Sequence, residues 1–166
     1  MDPKTTRGFL NNNPGNMDRS TAYVWNGEVR DPAFAQNDCQ RKELTTGRFC
    51  VFTDAEHGIR AMAKNLIAYR RAYGCETAYD YISHWAPPPK KKDPNAVAGT
   101  ESNGEDQNDT KAYADAVAKH MGIRPSDFID IGKPEILAAL IEGMIRVECA
   151  GNPYENGEIE RGVALA

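Results

Sequence analysis

The sequence lacks the features of membrane-spanning, exported or nucleic-acid-binding proteins. No apolar run approaches the ~20 residues of a transmembrane helix, and the start MDPKTTRG has no apolar signal-peptide core. The net charge of −4 gives no overall attraction to polyanions, and the dense basic run Lys90-Lys91-Lys92 is interpreted as a solvated loop. We therefore expect synthesis in the cytoplasm without a signal peptide, no membrane insertion and no nucleic-acid partner.

Patterns for metal binding and nucleophilic catalysis are also missing. The four cysteines show no Cys-x-x-Cys spacing, and the three histidines form neither a metal-ligand nor a nucleophile pattern. We predict no metal and no cofactor, and a peptidoglycan amidase or peptidase is disfavoured. The cysteines are interpreted as free thiols, with one disulfide in an oxidising compartment left open.

The chain has the size and composition of one globular domain. Its 166 residues are 40% hydrophobic, so we predict a single domain over 1–166. The fold class is mainly α, or α+β, with a small hairpin or sheet lobe. A polar, Pro- and Gly-containing stretch at about 87–108 is predicted to be a surface insertion. Helices are predicted after Thr53 to Gly74, from Thr77 to Trp85, over 110–121, from Pro134 to about Cys149, and near the C-terminus.

Two further segments have strong local signals. The Asn-rich stretch 7–20 predicts an ordered turn and no helix. Asn26-Gly27 predicts a type I′ hairpin between strands at 23–25 and 28–29, with a second short strand at 49–52.

Glu148 breaks the pattern of the last long helix. Leu137, Ile141, Met144 and Glu148 share one face at helical spacing, so this carboxylate continues a buried apolar stripe. At the edge of the core its pKa would be raised, as a general acid requires. The alternative is a structural glutamate that reaches solvent or pairs with an arginine such as Arg146 or Arg124.

The segment ALIEGMIRVECAGNPY resembles the catalytic helix of lytic transglycosylases and goose-type lysozymes, in which an apolar helix ends in Glu-Ser-x-x-Asn-Pro. The resemblance implies that Glu148 is the catalytic acid, and we assign Asn152 and Tyr154 to substrate binding. Cys149 stands where the family usually has serine, which bears on the geometry of the turn.

A second resemblance extends over nearly the whole chain, to phage-encoded and related bacterial lysozyme-like proteins that are often described as virion structural proteins. That family runs from WAPP almost directly into NDT, which marks 87–108 as an insertion. In flagellar-type glucosaminidases the catalytic helix comes first, whereas here it comes last, so we hypothesise a circularly permuted lysozyme-like fold. The matching segments are RGFLNNNPGNM, FCVFTDAEHGIRAMAKNLIAYRRAYG, YISHWAPP, NDTKAYADAVAKHMGI and IEGMIRVECAGNPY.

The permutation hypothesis brings the Asn-rich loop beside Glu148. Amides there would bind N-acetyl groups and sugar hydroxyls, although plain turn chemistry explains the same residues. Aromatic side chains including Tyr81, Trp85 and Tyr113 are candidates to line a sugar groove or to belong to the core. The substrate-binding candidates are Asn11, Asn12, Asn13, Asn16, Asn152, Tyr154 and Tyr113.

A hydrolase would need a second carboxylate, whereas transglycosylases use one glutamate. The candidates for a second acid are Asp18, Glu56 and Asp109; Glu56 is equally explained as a capping-box residue and Asp109 as a helix cap. These observations predict a muramidase or lytic transglycosylase that cleaves the β-1,4 bond of peptidoglycan. The alternative is a non-catalytic lysozyme-like module for glycan binding or virion structure.

The expected partner is the glycan strand of peptidoglycan, met in the bacterial periplasm or cell wall. Delivery by a phage particle, as a phage lysin, and delivery by a secretion system, as an antibacterial effector, both stay open. An effector would require an immunity protein, with the insertion at about 87–108 as the expected contact.

Overall fold

A computed structural model describes residues 1–88 and 109–166 of the chain. The architecture is mainly helical with one small antiparallel sheet, which confirms the predicted fold class. The predicted insertion at about 87–108 lies, from residue 89 onward, outside the described residues. The elements are α1 (Arg7–Leu10), β1 (Glu28–Val29), α2 (Asp38–Thr46), β2 (Val51–Phe52), α3 (Ala55–Tyr73), α4 (Ala78–Trp85), α5 (Thr110–Met121), α6 (Pro134–Glu148) and α7 (Glu158–Ala164), with single 3₁₀ turns at Pro3–Thr5 and Pro32–Phe34.

One apolar core joins the long helices. The inner faces of α3 and α6 supply many of its buried side chains, including Ile59, Met62, Leu66, Ile141 and Met144. Helix α7 packs on α3 and α6, α5 packs on α6, and α4 packs on α5. The C-terminal end of α6 is thereby brought beside α5. Among the described residues, no helix is both long enough and apolar enough to span a membrane.

The helix boundaries follow from local chemistry as predicted. Gly74 and Gly122 end α3 and α5 with φ angles of 66° and 71°, which glycine adopts without steric strain. Thr77 caps α4 in a capping box with Asp80, and Pro134 occupies the first turn of α6.

The predicted hairpin at 23–29 is wrong. Glu28–Val29 pairs with Val51–Phe52 instead, and the segment 23–25 is not a strand. A type I′ turn needs positive φ at both central residues, but of the pair Asn26-Gly27 only the glycine, at 76°, has one. Pairing with the distant strand is favoured because Val51 and Phe52 are fully buried.

Three other local predictions need correction. Thr53 does not cap α3, because Asp54 accepts the hydrogen bond from the His57 backbone N–H at 2.9 Å. The segment predicted to lack helix contains α1, a single turn. Helix α2 was not predicted, since its buried residues include Gln40 and Glu43 and therefore form no apolar stripe.

Candidate functional site

Glu148 is the last residue of α6 and contacts two neutral hydrogen-bond donors. The Tyr113 hydroxyl donates to Oε1 at 2.9 Å, and the Asn16 Nδ2 amide donates to Oε2 at 3.1 Å. The Trp85 side chain also lies close enough to lower the pKa of the same carboxyl group. Three segments far apart in sequence therefore converge on one carboxyl group.

Asn16 is held in place by its backbone and by Arg7. Its φ of 46° lies in the left-handed region, which asparagine tolerates better than most residues. Arg7 Nε donates to Asn16 Oδ1 at 3.3 Å, and this directs the Nδ2 amide toward Glu148. The Arg7 guanidinium also lies 3.8 Å from the centroid of the Phe49 ring. Arg7 was not a candidate in the sequence analysis, because a single arginine in a turn carries no local pattern.

The absence of a side chain at Gly15 lets the Asn-rich loop lie against Trp85. A Cβ at this position would stand 2.6 Å from the Trp85 ring and 3.0 Å from Met62 Cγ. The predicted position of the loop beside Glu148 is therefore confirmed for Asn16. The permutation itself stays a hypothesis.

Burial dominates the electrostatics of Glu148. Desolvation raises the pKa of its carboxyl group, and the hydrogen bonds from Asn16 and Tyr113 oppose that rise without cancelling it. The two arginines proposed as structural partners are engaged elsewhere, Arg146 with Glu142 and Arg124 with Asp127. Among the described residues no ion pair involves Glu148.

The other asparagines of the loop have structural contacts. Asn13 is buried, and its Nδ2 donates to the carbonyls of Met17 and Cys50 at 3.0 Å. Asn12 Nδ2 donates to the Phe52 carbonyl at 3.0 Å, and the buried Asn11 donates to Glu43 at 3.5 Å. Plain turn chemistry describes only the Asn13–Met17 contact, and the other bonds tie the loop to residues 32 to 40 positions away. Asn16 is therefore the amide at the site.

The residues after α6 turn away from the acid. Asn152 Nδ2 donates to Glu142 at 3.3 Å, and its Oδ1 accepts from the Tyr154 backbone N–H at 3.0 Å. Tyr154 is buried with its ring 5.8 Å from that of Phe9. Among the described residues, neither side chain has a hydrogen bond to Glu148.

The candidate second acids have partners other than Glu148. The Asp18 carboxylate is 63% exposed and lies 3.4 Å from Arg48. Glu56 forms an ion pair with Arg161 of α7 at 2.5 Å, and Asp109 caps α5. In the described part of the chain, none of the three has a hydrogen bond to Glu148.

A pocket elsewhere in the fold lies apart from Glu148. A pocket of about 580 Å³ lies at the other end of α6, where Leu137 and Pro134 meet Ile67 and Val163. Leu137 is 11 residues from Glu148, about 16 Å along the helix, so this pocket is separate from the acid. Residues 1–88 and 109–166 contain no cluster of three or more histidine, cysteine or acidic side chains suited to a metal ion.

Comparison with known proteins identifies one similarity over almost the full chain. Protein P5 of Pseudoalteromonas phage PM2 is 30% identical over 164 residues, which cover 96% of this chain and 81% of P5. No protein-family model matches the chain. On the extent of this similarity, the chain belongs to the family of phage protein P5.

Proposed function

We propose that this protein cleaves the β-1,4 glycosidic bond of peptidoglycan, with Glu148 as the general acid. The observation that carries the proposal is a largely buried carboxyl group whose pKa is raised and whose partners are neutral donors. Such a group retains its proton at higher pH than an exposed glutamate. The resemblance to catalytic helices ending in Glu-x-x-x-Asn-Pro supports the same reaction.

In this mechanism Glu148 acts twice. The protonated carboxyl group gives its proton to the bridging oxygen as the bond from that oxygen to the anomeric carbon breaks. The resulting carboxylate then accepts a proton from the hydroxyl that attacks the anomeric carbon, which regenerates the acid. Asn16 and Tyr113 stabilise the carboxylate between the two steps, since both donate hydrogen bonds to its oxygens.

Asp18 and Glu56 are each paired with an arginine, Arg48 and Arg161, and this favours chemistry with one carboxylate. Hydrolysis with two acids requires the second near the scissile bond, whereas a transglycosylase uses a hydroxyl of the substrate. We therefore favour the lytic transglycosylase over the muramidase. The phage relative favours a phage lysin, or a lytic protein of the virion, over an antibacterial effector.

The test is digestion of purified peptidoglycan by the wild type, Glu148→Gln and Glu142→Gln, with mass spectrometry of the soluble products. Glutamine keeps the shape of Glu148 but cannot donate the proton, so we expect release to fall by about 10²- to 10⁴-fold. Glu142→Gln is the matched control on the same helix and should retain activity. Anhydro product ends would support the transglycosylase, and reducing ends the muramidase.

Two results would contradict the proposal. One is release of fragments by Glu148→Gln at the rate of the wild type. The other is failure of the folded wild type to release any fragment, which would favour the non-catalytic glycan-binding or virion structural module.

A further inference from the structure

A group of aromatic rings has no part in the chemistry proposed for Glu148. This aromatic surface comprises Tyr23, Trp25, Tyr69, Tyr73 and His84. Tyr73 and His84 are stacked, with centroids 4.1 Å apart and planes within 8°. Tyr69 lies 5.8 Å from Tyr73 and 5.7 Å from His84, and Tyr23 lies 5.2 Å from Trp25 in an edge-to-face arrangement.

The two halves of the surface are close to each other. Burial is the main cause of the raised pKa of Tyr69, and Tyr73 and Tyr23 add to it, so both tyrosines lie within electrostatic range of Tyr69. Tyr73 is 60% exposed and Tyr23 is 53% exposed, so much of each ring contributes nothing to the core. Exposed rings grouped in this way are typical of binding surfaces.

Helix α3 connects the aromatic surface to the acid. Met62, Asn65 and Tyr69 share one face of this helix at i, i+3 and i+7. Met62 approaches Trp85 where both border Gly15, and Trp85 acts on Glu148. From Met62 to Tyr69 the helix rises about 10 Å, so the aromatic surface begins about two helical turns beyond the contact with Trp85.

The chemistry of the surface suits a carbohydrate. A pyranose ring has an apolar face of C–H groups, which stacks on aromatic rings, and a rim of hydroxyl and acetamido groups that need hydrogen-bond partners. Asn65 donates to the Tyr69 hydroxyl at 3.2 Å, and the exposed His84 imidazole adds a further polar group. Stacking of Tyr73 on His84 restrains both rings before a ligand arrives, which reduces the entropy lost on binding.

We propose that the aromatic surface binds the sugar residues of the glycan strand that extend beyond the bond cut at Glu148. This inference rests on the proposed function for the identity of the ligand. It assigns to Tyr23 and Tyr73 a role in binding the strand and none in the chemical step.

The test measures binding separately from cleavage. Glu148→Gln protein serves as the parent, so that the strand stays intact, and its affinity for purified peptidoglycan sacculi is measured by co-sedimentation. Adding Tyr23→Ala and Tyr73→Ala together should weaken binding by about tenfold, through the loss of two stacking rings. Tyr73→Phe keeps the ring and should bind as the parent does. Phe34→Ala removes an aromatic ring that is 71% exposed outside this surface and is the matched control.

The inference is overturned if the Tyr23→Ala, Tyr73→Ala protein binds as the parent does, if Phe34→Ala weakens binding equally, or if the parent does not bind sacculi. Its failure is distinguishable from failure of the proposed function. A wild type that cleaves, together with a double variant that binds normally, contradicts the aromatic surface alone. A wild type that binds through these tyrosines but never cleaves contradicts the proposed reaction alone.

Discussion

Helix α6 carries two glutamates, Glu142 and Glu148, whose surroundings differ in charge and in burial, the Glu148 carboxyl group being the more deeply buried. Glu142 accepts hydrogen bonds from Arg146 at 2.7 Å and Asn152 at 3.3 Å, and His120 lies 3.6 Å away. Burial alone would raise the pKa of Glu142, but the hydrogen bond from Arg146 and the nearby charges lower it overall.

Hydrogen bonding by itself does not decide how a buried carboxyl group titrates. Both glutamates accept two or more hydrogen bonds, yet the pKa of Glu148 is raised and that of Glu142 is lowered. Neutral donors offset only part of the larger desolvation at Glu148, whereas cations more than offset the smaller desolvation at Glu142. Each glutamate has an asparagine neighbour that allows this difference to be tested by substitution.

The largest effect is expected from Asn16→Asp. This change puts a second carboxylate where the amide donor was, so one pKa of the resulting pair should rise strongly. A general acid works while it is protonated, so the alkaline limb of the activity profile should move to higher pH. The measurement is the pH dependence of the initial rate of peptidoglycan solubilisation.

Asn152→Asp is the matched control for this prediction, because it adds the same charge beside Glu142. It should leave the alkaline limb in place. Equal shifts from both substitutions would show that the profile responds to the overall charge and not to Glu148.

Smaller effects, of opposite sign for Glu148→Gln and Glu142→Gln, are expected on the free energy of unfolding. Glu148→Gln should leave the free energy of unfolding at pH 7 to 8 unchanged or raised, because it removes a desolvated charge. Glu142→Gln should lower it by about 1 kcal/mol, through weaker hydrogen bonds to Arg146. Urea denaturation at several pH values measures both.

The pH dependence of these effects follows from the direction of each pKa shift. The unfolded chain is taken to have the ordinary glutamate value of 4.5. Because the pKa of Glu148 is raised in the folded state, its ionisation destabilises the wild type above pH 4.5. The difference in free energy of unfolding between Glu148→Gln and the wild type should therefore shrink as the pH falls toward 4.5. The folded pKa of Glu142 is lowered, so its stabilisation is present above 4.5 and is lost as pH falls through the folded value. If the free energies of unfolding of Glu148→Gln and Glu142→Gln depend on pH in the same way, the two carboxyl groups do not have opposite pKa shifts.

The smallest effect is expected from Arg7→Gln. The Arg7 charge lowers the pKa of Glu148, and its Nε donates to the oxygen of Asn16 that sets the orientation of the amide. Its loss should move the alkaline limb of activity to higher pH, by less than Asn16→Asp does. Arg48→Gln is the control, since Arg48 also lies over the Phe49 ring, at 4.8 Å, but its partner is Asp18. An unchanged profile for Arg7→Gln would mean that Asn16 keeps its orientation without Arg7.

Much of the helical fold was predictable because its signals are local. Gly74, Thr77, Gly122 and Pro134 each act through the conformation of one turn, and the structure places helix ends at all four. The predicted hairpin was wrong because Glu28–Val29 pairs with the buried strand Val51–Phe52, which is more than 20 residues away in the chain. A local turn pattern carries no information about such a competing strand.

The candidate site was predictable in its acid and less so in its surroundings. The apolar stripe and the Glu-x-x-x-Asn-Pro pattern both single out Glu148. The stretch Asn11-Asn12-Asn13 has the same composition as Asn16 but is turned toward backbone carbonyls and Glu43. Which amide reaches the acid depends on the path of the loop, which composition does not specify.

The sequence by itself determined where the helices begin and end and that a carboxylate continues the buried face of α6, because these properties depend on residues within a few turns. Only the tertiary structure decided that the partners of this carboxylate are neutral. Asn16 and Tyr113 lie 132 and 35 positions from Glu148 in the chain, and packing of the loop and of α5 against α6 brings them within 3.1 Å. Arg146 pairs with Glu142 and not with Glu148, since residues four apart on a helix are neighbours.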